Sequence, residues 1–135
     1  MNSYFDQRNE KTLAAIDEIL ETLPDFVREF NVGIAMRTMP LTRLGYLRDI
    51  RVFCDYLTRK KFKTKQITEL TLDDIANVTP TDVEAFIDYL SSYTFGGKKY
   101  SCKEYAKERK VSSLRAMFKY FYKKEKLQCA VMPKV

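Results

Sequence analysis

Arg109-Lys110-Val111-Ser112-Ser113-Leu114-Arg115-Ala116-Met117-Phe118-Lys119-Tyr120-Phe121 reads as a helix with two opposed faces. At about 100° per residue, Val111, Leu114, Phe118 and Phe121 gather on one side, flanked by Met117 and Tyr122. Tyr105, Arg109, Ser112, Ala116, Lys119 and Lys123 fall opposite, with Ser113 at the edge. Worked outward, the pattern predicts one helix over residues 101–124, with Ser101 and Glu104 as a capping box. Glu104 and Glu108 sit to one side with Arg115, where i,i+4 neutralisation is available.

The same reading places a second long helix over residues 42–60, with Thr42 as its N-cap. Leu44, Leu47, Ile50, Phe53, Cys54 and Leu57 form its apolar stripe, Tyr46 lies beside it, and Arg48, Asp55 and Arg59 lie opposite. A first amphipathic helix is expected over 11–23, with Leu13, Ile16, Ile19, Leu20 and Leu23 inward, until Pro24 interrupts it. A short helical piece follows over 25–31 and stops at Gly33, and residues 33–41 read as a loop. Thr71-Leu72-Asp73-Asp74 opens a short helical turn, with Leu72 and Ile75 inward. Thr79 then caps a helix that has Pro80 at its first position, Asp82 in its first turn, and Val83, Phe86, Ile87 and Leu90 inward. Residues 93–100, with Gly96-Gly97-Lys98-Lys99, are expected to be a loop; a lone Gly-Gly is no phosphate-binding signature.

Composition agrees with a helical domain. The 135 residues suffice for one hydrophobic core, nine Phe and nine Tyr supply its bulk, and only four Gly and four Pro are present. No run of about 18 apolar residues exists to span a membrane, and residues 1–10 do not have the pattern of a secretory signal. Cys54, Cys102 and Cys129 are widely spaced, so free thiols in a reducing compartment are expected. With no His and no paired cysteines, no metal site and no cofactor are expected, and a His general base is excluded.

Charge is segregated along the chain. Residues 1–36 carry three basic and seven acidic side chains, and residues 37–65 carry nine basic and two acidic. Residues 66–93 carry six acidic and no basic ones, and residues 94–135 carry twelve basic and three acidic. Such blocks suit a polyanion-binding face with an acidic back; solvated helix faces are the plainer explanation. Lys60, Lys61, Lys63 and Lys65 equally suit the C-terminal end of a helix dipole. On the last helix, small residues at the centre of the polar face let a backbone approach groove walls, and the surrounding Arg and Lys reach phosphates and base edges.

From Thr42 to Lys134 the chain resembles the N-terminal core-binding, SAM-like domain of tyrosine recombinases, the phage-integrase superfamily. The resemblance is carried by Thr42-Arg43-Leu44-Gly45-Tyr46-Leu47-Arg48-Asp49-Ile50 with Phe53 and Leu57, which follows a T-x-x-x-Y-x-x-D-hydrophobic pattern. It continues through Ile67-Thr68-Glu69-Leu70 and Thr79-Pro80-Thr81-Asp82-Val83-Glu84-Ala85-Phe86-Ile87, and ends in the Arg109–Phe121 stretch quoted above. It implies an all-α fold: an orthogonal bundle of four main helices, here with an additional N-terminal helical segment. The implied division is an N-terminal extension over 1–36, a DNA-binding domain over 37–127, and the start of a linker to a catalytic domain over 128–135. In that linker the family's Asn-Pro is replaced by Gln128-Cys129-Ala130-Val131-Met132-Pro133.

The function implied is clamping of double-stranded DNA at a recombination site, for integration or recombination. Catalysis would come from the recombinase's own catalytic domain, because the family's His-x-x-Arg motif has no counterpart in a chain without His. The chain is therefore expected not to be an enzyme by itself, and none of its Tyr residues is assigned as a nucleophile. Thr42 and Arg43 are expected at phosphates, and Lys103, Lys107, Arg109, Lys110, Ser113 and Arg115 at the groove or its backbone. Arg48, Lys98, Lys99, Ser112 and Lys119 complete the expected DNA-binding set. Neighbouring protomers on DNA are further expected partners, and the expected location is the cytoplasm, bacterial or phage-encoded and nucleoid-associated. The alternative is a protein-interaction module that docks a partner on the acidic helices of residues 11–31.

Overall fold

The computed structural model describes the backbone of residues 4–127 and the side chains of residues 8–127. The expected linker at Gln128–Pro133, and Cys129 within it, lie outside these residues. Among the described residues six α-helices and one short hairpin follow in order: α1 (Tyr4–Leu20), α2 (Asp25–Ile34), α3 (Pro40–Lys60), α4 (Leu72–Ala76), α5 (Pro80–Tyr89), β1 (Tyr93–Phe95), β2 (Lys98–Tyr100) and α6 (Glu104–Lys123). The chain is thus mostly helical, and no helix is long and apolar enough to cross a membrane.

The central element is α3. Its expected stripe is buried throughout, and Val52 and Tyr56 are buried as well, because α1 packs on one side of it and α6 on another. Ile16, Ile19, Leu20 and Leu23 bury as expected, whereas Leu13 remains 42% exposed. Two aromatic groups tie the helices together. Phe26 meets Phe121 edge-on at 6.1 Å and Phe30 meets Tyr120 at 5.6 Å, which fastens α2 to α6. The other group links Phe53 of α3 to Phe86 at 5.0 Å and to Phe118 at 6.3 Å. From Tyr56 it runs through Tyr89 and Tyr93 to Tyr100, reaching the hairpin. Offset and edge-to-face pairs of this kind add to what the buried area contributes.

Local chemistry explains most helix starts. Thr71 and Thr79 each accept from the backbone N–H three residues on, while Asp74 and Asp82 accept from the cap residue's own N–H. Burial alone would raise the Asp82 carboxyl. Hydrogen bonds from Thr79 and from Lys61 outweigh that and hold it below the ordinary carboxylate range. Burial, then the nearby Asp55, pushes the Cys54 thiol up to about 12, so it is an inert core group.

Several boundaries differ from expectation. The long helix begins at Pro40, not Thr42; Met39 is the N-cap, without a side-chain bond, and Pro40 fills the first position, where its missing N–H costs nothing. Ser101 and Glu104 form no capping box; α6 starts at Glu104 behind Lys103. Residues 93–100 are not a plain loop: Tyr93 pairs with Tyr100 and Phe95 with Lys98, and Gly96 and Gly97 supply the two positive-φ positions of the turn. The expected loop over 33–41 is instead the end of α2, a 3-10 turn at Ala35–Arg37, and the first turn of α3.

Gly33 does not stop α2 but lies within it, and its role is contact with α6. A Cβ there would sit 2.1 Å from the Tyr120 hydroxyl and 2.4 Å from two ring carbons. Tyr120 is itself buried against Phe30 and Phe121, so its ring moves only by giving up those contacts. Gly33→Ala is therefore expected to destabilise the fold by about 1–3 kcal/mol, despite the better helix propensity of Ala. Urea denaturation of the two proteins measures it; an unchanged or higher midpoint would contradict this account of the close approach.

Candidate nucleic-acid interface

The face shared by α3 and α6 is organised by one buried carboxylate. Asp49 is 3% exposed. Ser113 Oγ donates to its Oδ2 at 2.6 Å, Lys110 Nζ to its Oδ1 at 3.0 Å, and Arg109 reaches Oδ1 at 3.5 Å. A carboxylate withdrawn from water needs such donors, since an unpaired buried charge is strongly unfavourable. The three donors lie on one side of α6, so satisfying Asp49 sets the rotation of α6 about its own axis.

Tyr105, Arg109, Ser112, Lys119 and Lys123 then face outward, and Ala116, which completes the 4-3-4-3-4 spacing, is half-buried at the edge of the core. Tyr105 is 81% exposed, and the Arg109 side chain, despite its contact with Asp49, is 61% exposed. The C-terminal half of this stripe forms one wall of an open groove of about 570 Å³. Ser112, Arg115, Lys119 and Lys123 line it from α6, Tyr46 from α3, and Arg37 from the 3-10 turn. No carboxylate lines it. Among the described residues, Arg37, Lys119 and Lys123 have no ion-pair partner.

Three basic side chains away from the groove are neutralised. Arg59 pairs with Asp55 at 2.9 Å, Lys61 with Asp82 at 2.9 Å, and Lys65 with Asp74. Two cations of the run that ends α3, Lys61 and Lys65, are thus matched by the acidic stretch that follows it in sequence. Among the described residues Arg37, Lys98, Lys99, Lys119 and Lys123, on the 3-10 turn, the hairpin and α6, have no ion-pair partner, and neither do Arg48, Lys60 and Lys63 on α3 and the loop after it.

The residues expected at DNA separate into three groups. Arg48, Lys98, Lys99, Lys103, Arg109, Ser112 and Lys119 are exposed, as is Thr42 in the first turn of α3. Lys107 and Arg115 are half-buried, and Lys107 donates to Ser91 Oγ at 2.6 Å. Arg43, Lys110 and Ser113 do not face solvent at all, and the expectation that they meet DNA is corrected. Lys110 and Ser113 hold Asp49. Arg43 is turned inward, where NH1 donates to the carbonyls of Ala35 at 3.2 Å and Thr38 at 3.0 Å. Arg37 and Lys123 join the groove but were not singled out as contacts in the sequence. Lys123 could have been, because the helical period already put it on the polar face.

Comparison with known proteins follows the same direction. The chain is 32% identical over 109 residues to the tyrosine recombinase XerC of Syntrophus aciditrophicus (strain SB), covering 79% of this chain and 32% of that protein. It is 26% identical over 118 residues to the tyrosine recombinase XerS of Streptococcus mutans serotype c, covering 84% of this chain and 33% of the relative. A XerS from Streptococcus agalactiae serotype III is 29% identical over the same length, with the same coverage. The homologues of this chain are tyrosine recombinases. The chain spans about a third of the length of the tyrosine recombinases it matches. No protein-family model matches it, and no solved structure gives a significant match.

Asp49→Ala leaves Lys110 charged, buried and unpaired, and is expected to destabilise the fold by about 3–5 kcal/mol. The double variant Asp49→Leu with Lys110→Met removes both charges and should recover most of that loss. Chemical denaturation of the single and double variants gives the comparison; a single variant as stable as the parent would show that the cluster does not hold α6.

Proposed function

We propose that this chain is the DNA-binding, core-binding domain of a site-specific tyrosine recombinase, clamping duplex DNA across the exposed face of α6 and the adjoining surface of α3. The observation that carries the proposal is the groove beside α6, with four cations and no carboxylate in its lining. A groove whose only charged lining residues are cations attracts a phosphate backbone and releases its condensed counterions. The stripe Arg109–Ser112–Ala116–Lys119 combines small residues for close approach with long donors for phosphates and base edges. The descent shared with tyrosine recombinases supplies the reaction context.

In this reading the helices form the orthogonal SAM-like bundle of the family. Residues 37–127 do the binding, residues 1–36 are a helical extension packed on it, and residues 128–135 begin the linker. Thr42, Arg48, Lys98, Lys99, Lys103 and Lys119 are the contacts to the backbone, while Arg109 and Ser112 face the groove. Cleavage and rejoining belong to a catalytic domain acting with this one, in the cytoplasm on nucleoid DNA.

Gly45 gives independent support. It lies in the interior of α3, is exposed, and a Cβ there would meet nothing within 4 Å. Glycine at such a site costs about 1 kcal/mol against Ala, and no internal packing requires it. Without a side chain there, another molecule can approach the backbone of α3 closely. Gly45→Ala is expected to raise stability by up to about 1 kcal/mol while weakening DNA binding, so thermal denaturation and a binding titration should move in opposite directions. Stronger stability with unaltered binding would remove Gly45 from the interface.

Fluorescence anisotropy with a random-sequence duplex at two salt concentrations tests the whole proposal. Engagement of roughly five phosphates predicts a log–log slope of affinity against salt near −4 to −5. Lys119→Glu should weaken binding much more than Glu84→Lys, which changes a charge on α5 outside the groove lining. Affinity independent of salt, or equal effects of the two substitutions, would refute it.

A further inference from the structure

The turn between α2 and α3 is built at an unusual cost and presents an unusual surface. Arg43 is buried without a carboxylate; its NH1 is spent on the carbonyls of Ala35 and Thr38, and its Nε is buried with no partner. Thr38 Oγ1 donates back to the Ile34 carbonyl at 2.6 Å, and Ile34 is itself anchored in the core. A guanidinium is expensive to withdraw from water, and here its return is the shape of a three-residue turn. That turn holds Met36 at 98% exposure, immediately before Arg37, which lines the cationic groove. Val32, Met39 and Leu41 are exposed around it.

We infer that Met36 and Arg37 form a rigid DNA-contacting tip: Arg37 meets the phosphate backbone at the end of the groove, and Met36 packs against the deoxyribose and base edges beside that phosphate. This rests on the DNA-binding reading above and adds a contact outside α3 and α6. Charge complementarity selects the occupant. The neighbouring groove carries Arg37, Arg115, Lys119 and Lys123 with no acid, which suits the polyanion rather than a protein surface. Apolar side chains set beside cations are a recurrent means of touching the edges and steps of a duplex, and a flexible, polarizable thioether adapts to such a surface.

Replacing Met36 by the photo-crosslinker p-benzoylphenylalanine, with the same replacement at Lys119 as reference, tests this in the full chain with a random-sequence duplex. Crosslinking of the DNA from both positions is the expected result. Crosslinking from position 119 but not from 36, or from 36 only to a second copy of the chain, overturns the tip and leaves the DNA-binding reading standing. Crosslinking from neither overturns both. In titrations, Met36→Ala should lower affinity about three- to tenfold with an unchanged salt slope, and Arg37→Ala should reduce the slope by about 1. Met36→Ala binding as tightly as the parent would also overturn the inference, since a side chain this exposed has no part in folding.

Discussion

A single buried carboxylate determines how this molecule presents its surface. Apolar contacts between α3 and α6 are extensive, yet hydrophobic packing alone tolerates repacking and small slides of one helix along another. Asp49 removes that freedom. It accepts from Ser113 and Lys110 inside the protein and from Arg109 at its boundary, and those three donors cannot be satisfied in another register. A buried polar cluster of this type contributes little net stability compared with an apolar one, and its use is to specify an arrangement. Here the arrangement specified is the outward stripe of α6.

The cations divide accordingly into those that build the fold and those that face out. Lys110 and Arg43 are internal, and Arg59, Lys61 and Lys65 are matched by the carboxylates of α3, α4 and α5. Of the remaining ones, Arg37, Arg115, Lys119 and Lys123 meet at the groove beside α6, whose lining holds no acid. Net charge gave no hint of this division. A chain of +6 with its cations spread evenly over paired sites would be soluble and would bind DNA poorly.

Helical period and capping chemistry made much of the fold legible in the sequence. Val111, Leu114, Phe118 and Phe121 bury because their spacing leaves no alternative, and Thr79-Pro80-Thr81-Asp82 starts α5 because three local preferences coincide. Errors arose where a residue's role depends on a distant partner. Gly33 looked like a helix stop, but its missing side chain makes room for Tyr120, far along the chain. Arg43 and Lys110 looked like surface cations because nothing local says which charge will be enclosed. The available signal was Asp49, one of only two acids among eleven charged residues over 37–65. An acid alone in a basic stretch and at an apolar-flanked position is a candidate for internal pairing, and its partners are then sought among cations on other helices.

The two buried cations solve the same problem in different ways, and the difference follows the elements they hold. Lys110 lies on a twenty-residue helix that is already fixed in length and direction, so a point charge meeting one carboxylate is enough to set its rotation. The 3-10 turn has three residues and none of them is buried, so it has no core contacts of its own. Arg43 holds it by donating from one guanidinium nitrogen to the carbonyls at its two ends, Ala35 and Thr38. The walls of the groove are thereby fixed from inside the protein on both sides. A binding surface held this way loses little conformational entropy when it is occupied, which leaves more of the electrostatic attraction available as affinity.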